Sequence, residues 1–149
     1  MLTKKITYTD YNGNEISEKF YFNLNKAELL EMELSHNGGY QNYLKRLINT
    51  RDQAEIVAIF KELILKTYGI KSDDGKRFIK TQQLRDEFEQ TEAFSELYVE
   101  LATDEKAATD FVNGVIPPAL FADVQKEMAN RGVNNTADLA DALMNDEDK

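Results

Sequence analysis

The sequence predicts a mainly α fold, an N-terminal β-hairpin followed by a bundle of about five to seven helices, with a short hairpin-like turn at 70–79. Three observations predict it. Apolar residues alternate on both sides of an Asn-Gly pair in residues 1–24. Further on, apolar residues recur at i, i+3, i+4 and i+7. Glycines, prolines and capping residues punctuate those stripes at helix-length intervals.

In the hairpin, Ile6 and Tyr8 share one parity, Asn12-Gly13 follows, and Ile16, Phe20 and Phe22 share the next. Asn and Gly accept the positive φ of a tight type I′ turn, so two β-rich runs around them read as paired strands. Asn25 then caps a helix over about residues 26–35, Glu28 answers it in a capping box, and Leu24 and Leu29 fall where a hydrophobic staple packs. Asn37-Gly38-Gly39 ends that helix. Tyr40, Tyr43, Leu44, Leu47 and Ile48 make the stripe of the next.

Thr50 and Gln53 suggest another capping box, ahead of the most apolar stripe, Ile56, Ile59, Phe60, Leu63 and Ile64 with Val57 beside them. Gly69 is placed to end this central helix as a left-handed C′ residue. After a turn at Asp73-Asp74-Gly75, with Ile70 and Phe78 meeting across it, Thr81 caps a long helix. Leu84, Phe88, Thr91, Phe94, Leu97, Tyr98 and Leu101 share one face of that helix. Thr103 caps the next, with Ala107, Phe111 and Val112 inward and Gly114 at its end. Pro117-Pro118 marks a break.

Residues 1–117 thus read as one α-rich domain with the hairpin at 1–24, and residues 118–149 as a C-terminal helical extension with an acidic tail. In the extension Leu120, Phe121, Val124 and Met128 fall on one helical face, and Leu139, Ala140 and Leu143 on a shorter one. Such stripes ordinarily complete their own core; docking on a partner is the alternative.

Composition narrows function. The chain has no cysteine, which removes disulfides, thiolate metal sites and cysteine nucleophiles. The one histidine, His36, stands beside a Gly-Gly turn with no second histidine, the pattern of an exposed helix end rather than a zinc site or a catalytic triad. YGIKSDDGKRF at 68–78 nearly spells a phosphate-binding loop. Its glycines, however, enclose five residues rather than four, Arg77 stands where the hydroxyl should be, and two aspartates occupy the cradle. The same loop is too short for an EF-hand. Carboxylates are abundant but no pair has the layout of an acid–base site, and Asn134-Asn135-Thr136 is a chance sequon. No cofactor is expected.

The net charge of −9 is unevenly spread. Residues 1–80 carry 13 Lys/Arg against 11 Asp/Glu, and residues 81–149 carry 5 against 16. An acidic C-terminal half does not suit nucleic acid, and only KFYF at 19–22 approaches a base-stacking platform. No run reaches the roughly 18 apolar residues of a membrane span, and MLTKKITYTD lacks a signal-peptide core, so a soluble protein that stays where it is made is expected.

FKELILKTYGIKSDDGKRFIKTQQLRDEFEQTEAFSELYVELATDEKAATDFVNGVIP, residues 60–117, resembles the tail assembly chaperones of long-tailed bacteriophages and prophages, and LNKAELLEMELSHNGG at 24–39 looks like that family's N-terminal helix. The most specific pieces are KTYGIKSDDGKRF, EFEQTEAFSEL and FVNGVIP. Residues 118–149 match least well. The resemblance implies a non-enzymatic protein of the host cytoplasm that binds the tape measure protein and tail tube subunits during assembly, self-associates, and is absent from the finished virion. It carries over no catalytic residue. Leu120, Phe121, Val124 and Met128 are the expected partner-binding face. The alternatives are a structural tail or head–tail connector component and an acidic DNA mimic.

Overall fold

A computed structural model of the chain describes residues 1–35, 39, 40, 42, 43, 53–116, 119, 122, 123 and 126. The architecture is mainly α with an N-terminal hairpin, as the periodicities predict, and five helices lie among the described residues. The chain divides into two compact units, Met1–Asn23 with Ala54–Val115, and Leu24–Gln53 with Ile116–Lys149.

In the first unit, β1 (Leu2–Thr9) and β2 (Glu15–Phe22) pair antiparallel, Leu2 opposite Phe22 and Thr9 opposite Glu15. Strand periodicity puts Leu2, Ile6, Phe20 and Phe22 on one face, where Ile6 and Phe22 are buried. The connection is a five-residue loop rather than the expected two-residue turn. Asp10 closes it by donating its N–H to the Asn14 carbonyl at 2.9 Å and accepting the Asn12 and Asn14 N–H groups on its side chain. Gly13 does take positive φ, 83°, inside that loop.

The central helix α2 (Gln53–Thr67) buries Ile59, Phe60, Leu63 and Ile64, as its stripe predicts. α1 (Lys26–Ser35), earlier in the chain, belongs to the second unit. α2 does not stop at a left-handed glycine. It runs directly into β3 (Tyr68–Lys71), because the Thr67 carbonyl is captured by the Asn23 N–H at 2.8 Å and Gly69 pairs with Tyr21. Gly69 is required for a different reason: an added Cβ would lie 2.6 Å from the Phe78 ring and 2.7 Å from the Ile79 carbonyl.

β3 turns back into β4 (Phe78–Ile79) around Gly75, whose φ is 72°. Register sets Ile70 opposite Ile79 and Phe78 opposite Lys71, so Phe78 covers Gly69 rather than meeting Ile70. The four strands form one antiparallel sheet in the order β1-β2-β3-β4.

The long acidic helix is two. Thr81 caps α3 (Gln82–Glu89) by accepting the Leu84 N–H, and Thr91 caps α4 (Glu92–Thr103) by accepting the Phe94 N–H at 3.2 Å. Thr91 also donates to the Phe88 carbonyl, which closes α3 and opens α4 at a single side chain. The apolar face stays continuous across the break: Phe88, Phe94, Leu97 and Leu101 are all buried.

The last cap is shifted by one residue. Thr103 bonds back to the Val99 carbonyl and ends α4, while Asp104 caps α5 (Glu105–Val115) by accepting the Lys106 and Ala107 N–H groups. α5 therefore buries Ala108, Phe111 and Val115, with Ala107 and Val112 half-buried. Gly114 stands in the last turn of this helix, as expected, and an added Cβ there would fall 2.8 Å from the Leu2 side chain.

α4 and α5 pack on β1, and α3 packs on β3 and α4. The core between sheet and helices is aromatic. Tyr68 stacks on Phe88 with centroids 4.1 Å apart, Phe22 meets Phe111 edge-on at 5.3 Å, and Phe88 meets Phe94 edge-on at 5.7 Å.

In the second unit the capping box forms as expected: Glu28 N–H donates to the Asn25 side chain at 2.8 Å and Asn25 N–H to Glu28 at 3.2 Å. Leu24 and Leu29 are both buried beside it. The buried Glu33 carboxylate accepts the Tyr40 N–H at 3.0 Å, over a Gly39 that must lack a Cβ.

Candidate functional site

Leu120, Phe121, Val124 and Met128 lie outside the described residues, as do His36, Leu44, Leu47, Ile48, Thr50, Pro117, Pro118 and the stripe at 139–143. Around the first group, Ala119, Ala122, Asp123 and Lys126 are helical and exposed, and Asp123 stands 3.8 Å from Lys26 across a solvated pair.

Several polar groups of the first unit hold elements together. In the turn at 72–77, Asp74 accepts from the Ser72 hydroxyl and the Lys76 N–H, and those bonds lower its pKa. Its carboxylate faces the loop's own backbone, as expected of a turn and not of a phosphate cradle. Tyr8 donates to Glu18, and that bond, reinforced by burial and by the carboxylate charge, pushes its pKa up to about 12. Tyr11 donates to Glu92 at 2.7 Å, and Glu89 bonds Lys61 at 3.0 Å; each partnership raises the pKa of its tyrosine or lysine. Among the described residues no group of three His, Cys, Asp or Glu is arranged to hold a metal ion.

Two surfaces remain. The sheet face turned away from the helices carries Thr3, Lys5, Thr7, Thr9, Glu15, Lys19 and Lys71, and the Lys71 ammonium sits 5.3 Å over the Tyr21 ring. The opposite side of the same unit exposes the carboxylates of α3, α4 and α5. KFYF at 19–22 is split by strand parity, with Phe20 and Phe22 turned toward the core.

The second surface is a groove of about 480 Å³ between β1 and the α4–α5 corner, with Leu2 and Phe111 in its lining, Thr3 and Lys5 on the strand side, and Glu100 and Asp110 on the helix side. Lys4 crosses to Glu100 at 3.0 Å. Sequence reasoning did not find this groove. Its only signal was the alternation in KKITYT, which gives the strand without saying that one edge stays open.

The sequence model of a family described as phage tail assembly chaperone matches residues 1–149. The chain belongs to the phage tail assembly chaperone family. The match continues past Pro117, where the resemblance of the motifs weakens. No curated protein and no solved structure matches the chain. Chaperones of this family act in tail assembly within the host cell, with phage tail proteins as partners. No helix among the described residues is long and apolar enough to cross a membrane.

Proposed function

We propose that this tail assembly chaperone is a non-enzymatic protein of the host cytoplasm that binds the tape measure protein and tail tube subunits while the tail is built, and that leaves before the virion is complete. The observation that carries the reading is the family match over the whole chain. A chaperone of a long client needs apolar stripes bordered by charge, repeated by self-association until the client is covered.

We assign the client-binding stripe to Leu120, Phe121, Val124 and Met128, in a C-terminal helical extension over 118–149. The test is co-expression with the tape measure protein. The chain should keep that protein in the soluble fraction, and changing Phe121 and Val124 together to serine should lower its recovery without altering the chain's own circular dichroism. Equal recovery with the double variant would remove this stripe from the account.

A further inference from the structure

β1 is an edge strand. Among the described residues its only strand partner is β2, and the hydrogen-bond phase between the two is fixed by the loop. Asp10 N–H donates to the Asn14 carbonyl, so Asp10 and Asn14 are a hydrogen-bonded pair. Such pairs alternate along an antiparallel ladder. Tyr8, Ile6, Lys4 and Leu2 therefore turn their backbone groups toward β2, and Thr9, Thr7, Lys5 and Thr3 turn theirs outward. The far side of β2 agrees with this phase: Tyr21 pairs with Gly69 and Asn23 N–H reaches the Thr67 carbonyl, so its odd-numbered residues face β3. Thr3, Lys5, Thr7 and Thr9 are all exposed.

The outward backbone groups of Thr3 and Lys5 border the groove described above, whose lining includes Leu2 and Phe111. An unpaired strand edge beside a groove is the layout that accepts an added strand; here Leu2, Ala107 and Phe111 supply the apolar part of the lining, and Glu100, Asp104 and Asp110 keep carboxylates of an incoming strand out of it. Charge limits what can be added. Lys5 lies directly opposite Lys19, and among the described residues neither makes an ion pair. Like charges facing across a ladder are unfavourable, so a carboxylate beside Lys5 would relieve the pair. A second copy of β1 brings threonine and lysine to that position and no carboxylate; lysine on an edge is the usual guard against such self-pairing.

We infer that the free edge of β1 is a docking site for an extended acidic segment of another polypeptide, added as a fifth strand, with apolar side chains turned into the groove toward Leu2 and Phe111 and carboxylates turned out beside Lys5. The probe is a capped, fluorescent heptapeptide alternating glutamate with valine, titrated into the full chain and followed by anisotropy and by amide NMR shifts. Shifts should centre on Thr3, Lys5, Thr7 and Thr9. Lys5→Pro removes an outward N–H and leaves the β1–β2 ladder intact, so it should preserve the circular dichroism and weaken binding about tenfold, the cost of a lost backbone bond with its partner left unsatisfied. Lys5→Glu keeps the backbone and should also weaken binding. Unchanged affinity in Lys5→Glu together with unchanged affinity in a folded Lys5→Pro chain, shifts elsewhere, no binding of the peptide, or a β1 edge occupied by a second copy would each overturn the assignment.

Discussion

Phe88→Ala is the substitution that most directly probes the aromatic core. Phe88 is 3% exposed, and its ring centroid lies 4.1 Å from Tyr68, 5.3 Å from Phe20, 5.7 Å from Phe94 and 6.1 Å from Phe22. It joins both inner strands of the sheet to α3 and α4. Removing a buried phenylalanine costs about 3–5 kcal/mol through lost transfer energy and the cavity left behind, and a site ringed by rigid aromatics collapses poorly, which favours the upper half of that range. A chain of this size has a total stability of roughly 7–15 kcal/mol, so the variant should stay folded at room temperature. Its Tm should fall by about 8–20 °C. Urea unfolding followed by far-UV circular dichroism measures the loss, and a Phe88→Leu, Tyr68→Leu double-mutant cycle should return a coupling of about 0.5–1.5 kcal/mol for the stacked pair. A loss no larger than the ~0.5 kcal/mol of an ordinary surface change, or a coupling near zero, would refute the placement of Phe88 between sheet and helices.

Gly69→Ala should cost about 1–3 kcal/mol, because the new methyl group meets a backbone carbonyl that cannot move aside. Phe78→Ala in that background should restore only the part due to the ring. Tyr8 should titrate late in an absorbance titration, near its raised pKa of about 12, and Glu18→Gln should bring it back toward the ordinary tyrosine value of 10.0. The folded pKa lies above the unfolded one, so the stability this group contributes is complete below pH 10.0 and is lost as pH rises toward 12. Urea midpoints across that interval should fall more steeply for the native chain than for Tyr8→Phe.

Local signals were legible in the sequence where their causes are local. The Asn25/Glu28 capping box and the central stripe at 56–64 involve residues within one or two turns of each other, and both appear in the structure as read. Gly69 was misread because its partners, Tyr21 and Phe78, are remote or lie across a turn: a helix stop and a strand glycine look alike until the sheet is assembled. Gly114 stands at its helix end as read, but its close approach to Leu2, at the other end of the unit, was not legible. At Thr91 the capping signal was present, but the apolar face runs on through the break and hides it. The groove beside β1 depends on strand order, which no single segment encodes.

A chaperone that serves tail assembly and then departs is present in the infected cell and missing from the finished particle. Quantitative mass spectrometry of an infected-cell lysate and of purified particles from the same culture tests this most directly. The chain should be recovered with the tape measure protein from the lysate and be missing from finished particles. Finding it in particles at a fixed ratio to the tail tube protein would contradict the claim and make it a structural component of the tail.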